Sequence, residues 1–134
     1  MKKLSSFLLI FVLIFSFTAC GNGIGVVTPK YSSDVHSKED IETAIRVATY
    51  YFIKEFDDCK LLTITYGGDD ILENHKEFAP SGNIQDVIVL ESSFYVGSSG
   101  GDGSLNPNDI YTGWKWIIVK DSDGNWVHKD HGYG

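Results

Sequence analysis

The chain has 134 residues, enough for one domain, and carries a formal charge of −7. An acidic chain with no basic stripe is repelled by phosphate backbones, which sets nucleic acid aside as a partner. Its 2 cysteines are too few for a disulfide-framed scaffold, so stability has to come from a core in which 43% hydrophobic residues are available.

Met1-Lys2-Lys3 is a short positive start. Phe7 to Phe17 reads FLLIFVLIFSF, and Thr18-Ala19 places small residues before Cys20. A positive region, an apolar region and a small-residue site make a secretory signal over residues 1–19. At about 1.5 Å per residue the apolar run spans roughly 16 Å, against a bilayer core of about 30 Å, too short for a retained membrane helix. Phe17-Thr18-Ala19-Cys20 resembles the lipobox of bacterial lipoproteins, with Gly21 fitting and Phe17 standing where that family favours Leu. The resemblance implies lipidation of the Cys20 sulfur and cleavage before it. Two acyl chains, of the palmitate kind, hold a protein firmly. The expected location is the outer face of the cell membrane, with the membrane itself as partner through Cys20. Cleavage removes Lys2 and Lys3 and no acids, leaving nine basic residues against 18 acidic. Cys59 is then alone and reads as a small packed hydrophobe rather than a reactive thiol.

Residues 20–37 contain GNGIGVVTPKYSSDVHS after the cysteine and show no apolar period. They read as a flexible tether, about 20–25 Å long on average as a coil. The domain is placed at 38–134. Ser37-x-x-Asp40 has the spacing of a capping box. Ile41, Ala44, Ile45, Ala48, Phe52 and Phe56 recur at threes and fours, predicting one long helix from Lys38 to Phe56. Cys59 to Tyr66 (CKLLTITY) reads as a strand, Gly67 to Asp70 as a turn, and Ile71 to Ala79 as a short helix stopped at Pro80. Asp86 to Val96 is a long strand with Leu90, Ser92, Phe94 and Val96 on one face and Val89, Glu91 and Tyr95 on the other. Gly97 to Asn108 (GSSGGDGSLNPN) is a loop. Trp114–Lys120 and Trp126–Asp130 are two further strands joined by a hairpin at 121–125.

The predicted fold class is α+β, with one long N-terminal helix packed on a curved antiparallel sheet. WKWIIVK, then GNW, then DHGY resembles the last hairpin of NTF2-like, cystatin-like domains. Ser37 to Tyr133 resembles a family of small bacterial lipoproteins of that group, and the Ser98–Asn108 loop is its most specific stretch. The resemblance implies a cone-shaped fold and Gram-positive-type export, and no established activity.

Several patterns bear on chemistry. Asp102, Ser104, Asn106 and Asn108 alternate like early calcium ligands, but Pro107 and Gly113 stand where such a loop needs Gly and Glu. They are read as a structured loop and the candidate binding surface. Asp121, Asp123 and Asn125 are read as a hairpin turn. His128, Asp130 and His131 do not converge in a regular strand, since His131 points away from the other two. His75 has no assignable partner. No metal and no cofactor is expected. Asp86, Glu91 and Tyr95 are conceivable acid–base groups, yet no nucleophile elbow, phosphate loop or zinc-protease helix is present. Tyr95, Tyr111, Trp114 and Trp116 are the candidate pocket residues. The expected function is a non-catalytic, membrane-anchored binding or accessory module for an envelope protein or a small ligand. The alternatives are a small NTF2-like pocket enzyme and a cystatin-like protein inhibitor.

Overall fold

A computed structural model describes residues 26–133. The signal segment, Cys20 and the first part of the expected tether lie outside the described residues. Helix α1 runs Lys38–Glu55. Ser37 caps it, its hydroxyl accepting from the Asp40 N–H at 3.1 Å. Asp40 does not complete a capping box in return; its carboxylate accepts from Trp126 Nε1 at 3.2 Å, tying the first turn to the last strand. Ile41, Ala44, Ala48 and Phe52 form the buried stripe. The two alanines let the helix lie close on the sheet.

The sheet is an antiparallel meander, β1 Cys59–Tyr66, β2 Val87–Val96, β3 Ile110–Lys120 and β4 Trp126–Gly132, in the order β1-β2-β3-β4. The protein is therefore α+β, one helix packed on an open four-stranded antiparallel sheet. Leu90, Phe94 and Trp116 face α1 and are fully buried with it. The opposite face has its own small core, built on Leu72, Val87, Val89 and Ile117. The chain from Gly67 to Asp86 covers it.

That covering segment departs from the sequence reading. Instead of one helix over Ile71–Ala79 there are two single 3-10 turns, Leu72–Asn74 and Lys76–Phe78, with a third at Ile84–Asp86. A stretch this short, closed by Pro80, cannot carry the cooperative cost of an α-helix. It settles for i→i+3 bonds, His75 N–H to Leu72 O and Ala79 N–H to Lys76 O.

The described part of the expected tether, residues 26–37, also departs from a free coil. Val27 makes a parallel bridge to β1: its N–H donates to Leu62 O at 3.0 Å, and Ile64 N–H donates to Val27 O at 3.1 Å. Leu62 is the extra residue of a bulge in β1. Asp69 then accepts from Ser33 Oγ, Asp34 N–H and Tyr66 Oη. Burial pushes the Asp69 carboxyl up, but these three donors outweigh it and hold it below its ordinary range. Tyr66, buried and bonded to that carboxylate, is pushed well up. His36 is buried, with Nε2 2.8 Å from Val87 O. Val26 and Tyr31 pack on the helix-side core and Val35 on the other, which is why the segment lies down. No helix among the described residues is long and apolar enough to cross a membrane.

Candidate binding cavity

Two irregularities, one in β3 and one in β4, decide which side chains reach the helix side of the sheet. Ser92 pairs with Trp114 and Phe94 with Tyr111, so β3 carries an extra residue at Thr112–Gly113, where Gly113 has φ +69°. Ile117 pairs with Asp130 and Ile118 with His128, so Lys129 is extra in β4. A bulge resets the alternation of side chains. The consequence reverses the sequence reading of this strand. His128 and His131 meet on the helix side, His128 Nε2 2.9 Å from His131 Nδ1. One imidazole donates and the other accepts. Tyr51 of α1 stacks on His128 with centroids 3.9 Å apart and planes 13° apart. Burial lowers the pKa of both histidines, with each other's charge a further cause at His128 and Asp130 opposing at both.

Beneath them, Trp116 Nε1 donates to Ser92 Oγ at 2.8 Å, and Ser92 Oγ donates to Trp114 O at 3.2 Å. Trp114 stands perpendicular to Phe56, Phe94 and Tyr111. Its indole N–H is a buried side-chain donor without an oxygen or nitrogen partner, shut in among those rings.

The 97–108 loop folds back over this end. Asp58 pins it: Ser99 donates both N–H and Oγ to its carboxylate, and Gly97 N–H donates to Asp58 O at 2.7 Å. These Ser99 bonds lower the Asp58 pKa. A β-carbon at Gly97 would run into the Asp58 carboxylate, and one at Gly100 (φ +71°) would meet Leu105 O at 2.6 Å. Asp102 Oδ1 accepts from Ser104 N–H and Oγ, an Asx-type turn that lowers its pKa.

Between the end of α1, this loop and the open end of the sheet lies a cavity of about 240 Å³. Tyr51, Phe56, Trp114 and His131 supply aromatic surface, and Glu55, Asp57, Asp102 and Ser104 are polar members of its lining. A broader groove of about 790 Å³ runs between residues 28–33 and the first half of α1. It contains none of the candidate site residues, and its charges are mixed, Lys38 pairing with Glu42 at 3.8 Å.

The structure thus brings together Asp102, Ser104 and Trp114 from the expected loop and pocket. Trp116 is wholly inside the core. Tyr111 lies flat on Phe94 and accepts from Asn106 N–H with its hydroxyl. Asn108 sits at φ +59° and accepts from Tyr95 Oη. Tyr95 is on the face of β2 turned away from α1 and the cavity, as the strand alternation predicts, and is itself exposed. Asp86 and Tyr95 are at opposite ends of β2, and Glu91 pairs with Lys115 between them, so the three conceivable acid–base groups do not converge. Asp121 uses its carboxylate on the N–H groups of Asp123 and Asn125 within the hairpin turn. Among the described residues no group of three or more His, Cys, Asp and Glu is placed to hold a metal ion.

Sequence reasoning missed Tyr51, Glu55, Phe56 and Asp57 as wall residues. Their signal was local. Tyr51 and Glu55 are one turn apart at the flank of the buried stripe, and Phe56-Asp57 is where the helix stops. Comparison of the chain with protein-family models, with curated proteins and with solved structures gives no match in any of the three.

Proposed function

We propose that this protein is an exported lipoprotein, anchored to the outer face of the cell membrane through Cys20, whose NTF2-like domain is a non-catalytic binding module. The leader and the Phe17–Cys20 motif support the anchor. The helix laid on an antiparallel meander, with a cavity at one end between helix and sheet, is the arrangement that supports an NTF2-like reading. The observation that carries the binding role is the cavity itself: walls that mix aromatic rings with carboxylates, closed by a loop that is pinned in place by Asp58. Concave sites that set aromatic surface beside placed polar groups are where small ligands bind. The imidazole pair is turned on itself, and the conceivable carboxylates are scattered, which favours binding over catalysis.

A thermal-shift screen of the protein against metal ions, sugars, peptides and small amphiphiles tests this. A ligand at a hundred times its Kd adds about 2.7 kcal/mol. For a domain of this size that is a rise in Tm of about 10 °C or more. A shift abolished by Tyr51→Leu supports the cavity as the site. A panel without any shift, or a shift indifferent to Tyr51→Leu, removes the cavity from the function. Cys20→Ser protein that still incorporates labelled fatty acid overturns the anchor.

A further inference from the structure

We infer that the cavity at the end of α1 takes a small organic ammonium ion, methylated or quaternary, held by aromatic faces and surrounding carboxylates. This rests on the reading of that cavity as a binding site and adds the chemistry of its ligand.

The cavity comes first. At about 240 Å³ it sits just below the range of about 300–1,000 Å³ typical of small-molecule sites, so its occupant is compact. Tyr51, Phe56, Trp114 and His131 line it, aromatic side chains contributed by the helix end, β3 and β4. Aromatic faces attract cations through the ring quadrupole, most strongly when the cation is weakly hydrated, and grouped aromatic rings are how quaternary ammonium ions are recognised. Charge is the second observation. The carboxylates lining the cavity are Glu55, Asp57 and Asp102; no lysine or arginine among the described residues lines it. One sign of charge in a concave, low-dielectric site raises the local concentration of the opposite ion.

Cys59 reports the same field from below. Its thiol is raised by burial and then by the charges of Asp58, Asp102 and Asp57. Glu55 and Asp57 from the end of α1 and Asp102 from the loop line the same cavity, so carboxylates from two segments meet there. Gly101, at φ +65°, brings the loop backbone up to the end of α1: a β-carbon on it would lie 3.2 Å from Leu105 Cδ1 and 3.4 Å from the Asp57 main-chain carbonyl. An inorganic cation would favour a tight oxygen shell, whereas Asp102 is occupied by Ser104 and, among the described residues, no three His, Cys, Asp or Glu side chains are grouped to supply one. An anion or a neutral sugar has neither a positive group nor a dense donor set to meet. A methylated ammonium ion uses both features present.

The test compares choline with its neutral carbon isostere, 3,3-dimethylbutan-1-ol, on the full-length protein at matched ionic strength. Binding is followed by tryptophan fluorescence and thermal shift. Choline should bind and the alcohol should bind at least about tenfold more weakly. Glu55→Gln and Asp102→Asn, at exposed positions that leave the core alone, should each weaken choline. Tyr51→Leu should weaken it about 3- to 30-fold, the range of one cation–π contact. Equal binding of the alcohol, or choline binding unaffected by all three variants, overturns the ammonium proposal. So does the absence of choline binding. If another compound then binds and Tyr51→Leu abolishes it, the cavity remains the site with a different ligand. If nothing binds there, the reading of the cavity as a binding site falls as well.

Discussion

Ser92 and Ser93 are neighbours in β2 that face opposite sides of the sheet, and they should respond very differently to the loss of a hydroxyl. Ser92 is 3% exposed and its oxygen accepts from Trp116 Nε1, on a residue with no exposure at all. Its own proton goes to Trp114 O. Ser92→Ala strands the indole N–H in the core, and a buried donor without a partner costs about 1–3 kcal/mol. With little room for water to replace the hydroxyl, about 2 kcal/mol is expected. At roughly 4–8 °C per kcal/mol for a domain near 100 residues, Tm should fall by about 8–16 °C. Ser93 bonds Thr63 Oγ1 at 2.6 Å on the half-exposed face, where solvent can take over. Ser93→Ala should lose no more than about 1 kcal/mol. Urea titration read by tryptophan emission measures both, with an unchanged m value as the check that the unfolding reaction is the same. A Ser92→Ala loss below about 0.5 kcal/mol, or equal losses at the two positions, would refute the reasoning.

Stability should fall as pH drops below about 6.5, the value near which histidines titrate in the unfolded chain. Burial lowers the pKa of His36, His128 and His131 in the fold, so between the two values the unfolded chain binds more protons. Their contribution is whole above about 6.5 and is lost toward the folded values; urea midpoints at pH 7.5, 6.5 and 5.5 should decline in that order, and His131→Phe should flatten the decline. Asp58→Ala removes the anchor of the 97–108 loop, so amide exchange at Ser99–Leu105 should quicken while exchange in β2 and β3 stays slow. Asp69→Ala releases Ser33, Asp34 and Tyr66 together, and limited proteolysis should then cut within residues 28–35 before any site in the sheet. Cys59 should be alkylated more slowly than free cysteine at pH 7.5, because its thiol is held up by burial and by Asp58, Asp102 and Asp57; Asp102→Asn should speed the reaction.

Periodicity was enough for the elements that bury one clean face. Ile41, Ala44, Ala48 and Phe52 gave the helix within a residue of its observed end, and the alternation through Leu90, Ser92, Phe94 and Val96 gave the inward face of β2. The pattern was weakest where a segment buries only two or three residues. Leu72, Phe78 and Ala79 are as compatible with separate 3-10 turns as with a helix, and length decides between them. Val26, Tyr31 and Val35 lie among glycines, serines and a proline with no period, and their packing depends on a sheet edge and a second core that the local sequence does not reveal.

The binding end was hidden for a more specific reason. A bulge costs one residue and inverts every side chain beyond it, so a reading based on alternation assigns the wrong face to all that follows. Lys129 does this in β4, turning His131 to the side of His128 and bringing both to Tyr51. Thr112-Gly113 does it in β3, which lets Tyr111 and Trp114, three residues apart, both reach Phe94. Gly113 was visible as a residue able to take φ +69°, but nothing adjacent to Lys129 marks the second bulge. The two irregularities fall on neighbouring strands but well apart along β3, one at Thr112–Gly113 and the other opposite Ile117 and Ile118. The first leaves Trp114, and the second turns His131, on the side that α1 and the Asp58-pinned loop roof over, and both residues line the cavity formed there.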